Sequence, residues 1–276
     1  MKWNQRLYLG TWQLSGDFHD FSLEEKEEVL MTALSLGVER FDTAAAYGQG
    51  SVESLLGRIL PHDAVVVTKI PAIRTLEGKL TSSIVRHYPV GHVRASLESS
   101  LTRLSRSRVD VALLHNWHEA WSEDVRPVVD TLLSIKDSGL AGKIGISLPD
   151  GFGGDIGADI LSLIDVVEVP YNQRDVRIVR LLPILQASGI EVLLRSLFMQ
   201  GMRLKTEDEA RLLSANDVRL KRSYPSGEIP AHSAQQILTE AWSLGASVVV
   251  GVTTPEQIIA NVNCLKGDHY GLTESV

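Results

Sequence analysis

Three short apolar runs end in, or lead to, side chains able to move a proton. Residues 39–43 close with Asp42-Thr43, and Tyr47 follows in a Tyr-Gly-Gln-Gly turn. Residues 64–69 close with Lys69, and residues 109–115 close with His115, just ahead of Asn116. The chemistry this set suits is proton transfer to an oxygen. A phenol with a pKa of ~10 is a weak acid at neutrality unless a nearby cation stabilises its phenolate. Lys69 is placed to supply that charge, and Asp42 to hold the ammonium protonated and in position. His115 is placed to donate a hydrogen bond to a carbonyl oxygen as it becomes an alkoxide. Each residue also has a plain structural reading. Asp42 can cap or pair locally, Tyr47 can anchor a loop, Lys69 can reach solvent, and His115 can be a satisfied core imidazole. Their arrival at successive strand ends favours the joint reading. No metal site is expected: the acids and histidines lack ligand spacing, and the single cysteine, Cys264, lies in the last helix.

Such side chains converge only on a scaffold that brings strand ends together. Strands are predicted over residues 7–11, 39–43, 64–69, 109–115, 143–147, 165–169, 191–196 and 247–251. Most are rich in Val, Ile and Leu without strict alternation, the pattern of a strand covered on both sides. Helices are predicted over 23–36, 52–60, 90–106, 124–138, 156–163, 178–187, 234–244 and 255–265. A glycine ends four of them, at Gly37, Gly139, Gly189 and Gly245, where a left-handed cap turns the chain into the next strand. Strict alternation implies parallel strands with right-handed crossovers. Eight such pairs, with no Gly-x-Gly-x-x-Gly after the first strand and no interdomain linker, predict an α/β fold: one (β/α)8 TIM barrel forming a single domain over 1–276. Two stretches exceed what the alternation needs, 70–89 and 198–232. Both leave carboxyl ends of strands, and the second, with its Tyr-Pro-Ser-Gly at 224–227, reads as a partly mobile lid.

Composition agrees with a packed globule. The chain has 276 residues, 44% hydrophobic and 22% charged, which excludes disorder as the main state. Its net charge is −7 and no basic block stands out, so neither nucleic acid nor an anionic membrane is expected as a partner. One cysteine excludes an internal disulfide, no apolar run approaches ~18 residues, and neither export nor a membrane span is expected. A cytoplasmic location is the expectation.

At this point the sequence resembles the aldo-keto reductase family over most of its length. The resemblance lies in Leu9-Gly10-Thr11-Trp12, Phe41-Asp42-Thr43-Ala44, and Tyr47-Gly48 with Glu53, Leu56 and Gly57. It continues through Val67-Thr68-Lys69, Leu113-Leu114-His115, Lys143-Ile144-Gly145-Ile146-Ser147 and Pro170-Tyr171-Asn172. The final pieces are Gly251-Val252-Thr253-Thr254-Pro255-Glu256-Gln257 and Asn261, while Arg195-Ser196-Leu197-Phe198-Met199-Gln200-Gly201 is similar to a seventh-strand loop of a bacterial branch. The resemblance implies hydride transfer from NADPH or NADH (the NADP or NAD couple) to an aldehyde or ketone. It makes Tyr47 the acid, Lys69 and Asp42 its tuners, and His115 the residue that orients a small-molecule carbonyl substrate. It further implies cofactor contacts from Gly10, Thr11, Trp12, Ser147, Glu168, Asn172, Arg195, Ser196, Gly251, Thr253, Thr254, Gln257 and Asn261.

Three positions depart from the family pattern. Leu148 stands where Asn often follows Ser147, Glu168 where Gln is usual, and Arg195 where an aromatic residue commonly stacks on nicotinamide. A guanidinium plane can also stack. Glu168 and Arg195 fall on neighbouring strands and can pair with each other, a structural salt bridge being the alternative to a cofactor role. Thr253 and Thr254 precede a helix beginning at Pro255, whose free amides attract phosphate, although both threonines can simply be caps. No Arg or Lys lies in that segment, so NADPH preference is expected to be weak unless Arg203 or Lys205 substitutes. Trp12 and Trp117 are expected to wall an apolar substrate pocket, and Trp121 to pack a helix. Two other readings compete. One is a nicotinamide-binding sensor or partner subunit with residual catalysis, motivated by Glu168 and Arg195. The other is a phosphate-binding barrel lyase or isomerase that forms a Schiff base at Lys69. The particular carbonyl and the oligomeric state are not legible.

Overall fold

The computed structural model describes residues 2–17, 20–73, 83–118, 121, 124–150, 152, 154–172, 174–199, 201 and 233–267. Arg203, Lys205 and the turn at 224–227 lie outside the described residues, as does most of the expected lid. Eight strands form one closed barrel in chain order. They are β1 (Leu7–Gly10), β2 (Arg40–Asp42), β3 (Val65–Ile70), β4 (Val109–Leu114), β5 (Ala141–Ser147), β6 (Val166–Pro170), β7 (Glu191–Arg195) and β8 (Ser247–Gly251). Every neighbouring pair is parallel, and β1 closes on β8 with Gly10 beside Gly251.

The helices outside the barrel are α1 (Leu23–Ser35), α2 (Ser51–Ile59), α3 (Ile84–His87), α4 (Val90–Arg103), α5 (Arg126–Asp137), α6 (Ala158–Leu161), α7 (Leu182–Ala187), α8 (Ala234–Ser243) and α9 (Pro255–Lys266). Among them no helix is long and apolar enough to cross a membrane. The four capping glycines take φ between 73° and 87°, as the helix-to-strand turn requires. The predicted helix over 178–187 divides into a 3-10 turn, Arg177–Arg180, and α7. Pro183 is the reason: it has no N–H to donate one turn back, so it sits in the first turn of a new helix. The helix expected over 156–163 is only the four residues of α6. α3, inside the long stretch after β3, is too short for periodicity to reveal.

Two apolar layers hold the barrel. Outward residues such as Leu9, Phe41, Ile144 and Leu194 pack against the helices, while Val67, Val111, Leu113, Val166, Leu193 and Val249 fill the barrel axis with the ring of Tyr8. Gly145 permits close strand contact there, since a Cβ at that position would overlap Val166 O. This apolar plug leaves the polar strand ends above it at the carboxyl mouth, where barrels of this type carry their sites.

Candidate active site

The site is built on the ends of β2, β3, β4, β6 and β7. Lys69, buried in β3, donates from Nζ to both carboxylate oxygens of Asp42 at 2.7 Å and to Thr43 O at 3.1 Å. The same nitrogen lies 3.4 Å from Tyr47 Oη and 3.2 Å from Glu168 Oε2. Thr11 fixes the end of β2 from the neighbouring strand, its N and Oγ1 both donating to Asp42 O at 3.0 and 2.9 Å.

Tyr47 reaches this ammonium through its turn. Gly48, Gln49 and Gly50 all have positive φ, a run that two glycines make accessible. α2 then pins the turn to the barrel. Its buried Glu53 accepts from Thr68 Oγ1 at 2.6 Å on β3 and from Arg103 Nε at 2.7 Å on α4. The Tyr47 ring lies between Trp12, stacked at 6.2 Å, and His115, edge-on at 6.2 Å. His115 is held by its backbone, with N donating to Ile70 O at 2.9 Å and O accepting from Tyr88 Oη.

Glu168 occupies the floor of the site. Its Oε1 accepts from Ser147 Oγ at 2.9 Å and lies 3.5 Å from Arg195 Nε, so the expected Glu168–Arg195 pair forms. Arg195 also donates to Asp150 Oδ1 and Ser196 Oγ at 2.8 Å and to Leu148 O at 2.6 Å. Two buried carboxylates therefore flank one ammonium. Burial, then the Glu168 charge, raises Asp42 well above the ordinary carboxylate range despite Lys69. Burial also acts to raise Glu168, but Lys69, Asp42, Arg195 and Ser147 together hold it at about 2. Lys69 is stabilised as an ammonium: burial opposes its charge, and Asp42 and Glu168 more than compensate. Burial pushes the Tyr47 phenol up to about 12, and Lys69 only partly offsets it. The sequence reading, in which Lys69 makes Tyr47 a stronger acid, has the right sign for that one interaction but omits the larger cost of desolvation. Burial and the Lys69 charge lower His115 to about 3, so its imidazole is neutral at physiological pH.

Above these groups opens a cavity of about 380 Å³, within the range of small-molecule sites. Of the expected site residues it is lined by Gly10, Trp12, Asp42, Tyr47, His115, Glu168, Arg195, Ser196 and Gly251. Trp117 does not wall it. That side chain is buried and packs edge-on against Trp121 at 6.0 Å, because the chain after β4 turns outward into the apolar layer. Asn172 is also buried to one side, its Oδ1 accepting from the N of Arg174 and Asp175 at 2.9 and 3.1 Å. Thr254 is the N-cap of α9 and accepts from Gln257 N, while Gln257 Oε1 accepts from Thr253 N at 2.8 Å. The capping reading is met by Thr254 alone, Thr253 donating to Gln257 instead; Asn261 is buried in the same helix, and neither threonine lines the cavity. Sequence reasoning missed Gln13, Asp17, Asn116, Asp150 and Val249, which do line it. Asn116 and Asp150 were detectable as the polar residues just past β4 and β5; Gln13 and Asp17 carry no comparable signal.

The described residues thus form a closed parallel barrel with Lys69, Asp42, Tyr47 and His115 gathered at its carboxyl mouth. The sequence pattern of the Aldo/keto reductase family matches residues 6–269, and the chain belongs to that family. It is 29% identical over 140 residues to the aldo-keto reductase YhdN of Bacillus subtilis, covering 50% of this chain and 41% of that protein, so the match spans under half of that relative. It is 25% identical over 295 residues to an NADH-specific methylglyoxal reductase of Escherichia coli, covering 94% and 89% of the two chains. The structure superimposes on the holo form of an aldo-keto reductase, AKR11C1, from Bacillus halodurans. The TM-score is 0.71 at 21% identity, with 95% of this chain and 86% of that one covered, which establishes a shared fold.

Proposed function

We propose that the chain is an NAD(P)H-dependent oxidoreductase that reduces an aldehyde or ketone to the alcohol. The observation that carries this reading is the placement of one buried ammonium, Lys69 Nζ, 2.7 Å from Asp42 and 3.4 Å from Tyr47 Oη, under a cavity that His115 also lines. The residues fit a nicotinamide nucleotide. Gly10 and Gly251 face each other across β1 and β8, and the missing Cβ of Gly251 makes room for the Gln13 side chain, whose amide lines the cavity there. Glu168, Ser147, Arg195 and Ser196 supply acceptors and donors beside the cavity, and Gly10, Thr11, Trp12, Asn172, Thr253, Thr254, Gln257 and Asn261 complete the set that the resemblance assigns to it. When bound, the reduced nucleotide supplies the hydride for the carbonyl carbon.

The protein's own part is proton delivery and orientation. Tyr47 is protonated throughout the neutral range and donates its phenolic proton to the carbonyl oxygen; Lys69 stabilises the phenolate left behind. Asp42 holds Lys69 charged and fixed. His115, neutral, donates a hydrogen bond to the same oxygen and sets the direction from which it is approached. Segment 253–257 brings no cation to a ribose 2′-phosphate, so NADH competes with NADPH. The test is fluorescence titration with NADH and NADPH, followed by an aldehyde panel that includes methylglyoxal with the tighter nucleotide. Micromolar nucleotide binding with turnover supports the reading. Binding without turnover of any carbonyl favours the sensor alternative, and no nucleotide binding refutes both.

A further inference from the structure

Glu168 stands outside the proton-moving set that sequence reading singles out, yet it touches that set's cation. An ammonium has three N–H donors. Four acceptor atoms lie within hydrogen-bond reach of Lys69 Nζ, two from Asp42 at 2.7 Å, Thr43 O at 3.1 Å and Tyr47 Oη at 3.4 Å, and Glu168 Oε2 lies 3.2 Å away as a charge partner that receives no hydrogen bond. Tyr47 is the farthest of these atoms, and the charge it depends on is drawn on by Asp42 and by Glu168 as well. Glu168 cannot retreat from this contest, because it is fully buried and its other oxygen is held by Ser147 and Arg195.

We propose that Glu168 is a positioning residue that sets the acid strength of Tyr47: by competing for Lys69, it keeps the phenol protonated over a wide pH range. This rests on the reading of Tyr47 as proton donor. The charges that face Tyr47 are Lys69 on β3, Asp42 on β2, Glu168 on β6 and Arg195 on β7. Arg195 is itself paired with Asp150 from the segment after β5, Asp17 accepts from Trp12 at 3.1 Å on the opposite wall, and His115 is neutral. The phenol is thus surrounded by one ammonium shared between two carboxylates and by a guanidinium that Asp150 and Glu168 both pair with. Burial is the largest cause of the upward displacement of Tyr47, and both carboxylates add to it. The amide that the family resemblance places at this position would remove one of them and leave more of the Lys69 field to the phenol. The chemical consequence is directional. A phenol that resists ionisation delivers its proton at any pH up to the alkaline range. The reverse reaction, alcohol oxidation, needs the phenolate as base and is suppressed near neutrality.

The test is Glu168→Gln, which keeps shape and removes charge. Tyrosinate absorbance is titrated on the nucleotide-free protein, and subtraction of a Tyr47→Phe protein isolates Tyr47. In the variant, Tyr47 is expected to ionise at least about one pH unit lower than in the wild type, a roughly tenfold change in proton affinity. The pH at which alcohol oxidation rises should fall by the same amount. Glu168→Asp, which keeps the charge but withdraws it from Lys69, should give an intermediate displacement, and it carries the test if the Gln protein does not fold. Unchanged ionisation of Tyr47 in a folded Glu168 variant overturns the inference while leaving the proton-donor reading intact. A Tyr47→Phe protein that keeps its reductase rate overturns that reading instead.

Discussion

Replacing Lys69 with Met keeps the length of the side chain and deletes the ammonium between two buried carboxylates. In the wild type that ammonium lies 2.7 Å from Asp42 and 3.2 Å from Glu168, and all three side chains are nearly inaccessible to solvent. Removing one partner from such a buried set costs about 3–5 kcal/mol, because the remaining charge is left unpaired. A domain has only ~5–15 kcal/mol to lose, so the variant should be folded but weakened. The loss must also depend on pH. Without Lys69, burial acts on both carboxylates with less to oppose it: Asp42, already raised, is pushed further up, and Glu168 is carried from about 2 to above its value in the unfolded chain, about 4. A raised carboxylate contributes stability that is fully present below its unfolded pKa and is lost as pH rises through its folded value. The deficit of the variant should therefore be smallest near pH ~5 and largest near pH ~8. Urea unfolding of both proteins at these two pH values is the assay. Equal deficits at the two values, or a deficit under about 1 kcal/mol at the higher one, would refute the reasoning.

Gly145→Ala places a methyl group against a strand backbone, with Val166 C at 2.8 Å and Leu113 Cδ2 at 3.0 Å. It should lower stability by about 1–3 kcal/mol or more in a urea melt, and an unchanged midpoint would contradict the barrel packing described. Thr254→Arg introduces the cation that segment 253–257 lacks, and should tighten NADPH by about 1–3 kcal/mol with little effect on NADH. Dissociation constants at fixed salt measure this. A wild type already far tighter for NADPH would mean that the 2′-phosphate is read elsewhere.

The eight strands were legible because runs such as Val65–Ile70 and Ser247–Gly251 are largely apolar on both faces, and capping glycines mark the entry to β2, β5, β7 and β8. The meeting of Asp42, Tyr47, Lys69 and His115 was legible too, since strand ends of a closed barrel share one mouth. Sequence gave no measure of burial or of the direction of a side chain beyond a strand. Trp117 was for that reason expected at the cavity and lies in the outer core, and the net displacement of Tyr47 was missed because desolvation outweighs its cation. Glu168 was noticed as a departure and its pairing with Arg195 was foreseen. Its contact with Lys69 was not, because these two strands are neither adjacent nor paired, and only the radius of the barrel brings them together.

The central claim is that Tyr47 delivers the proton. Tyr47→Phe removes only the phenolic oxygen and leaves the ring between Trp12 and His115, so nucleotide affinity should barely change. Single-turnover reduction of the preferred aldehyde, with reduced nucleotide bound, isolates the chemical step. The account predicts a fall of about 10²–10⁴-fold in that rate at unchanged nucleotide dissociation constant. A Tyr47→Phe protein that reduces the aldehyde within a few-fold of the wild-type rate would contradict it.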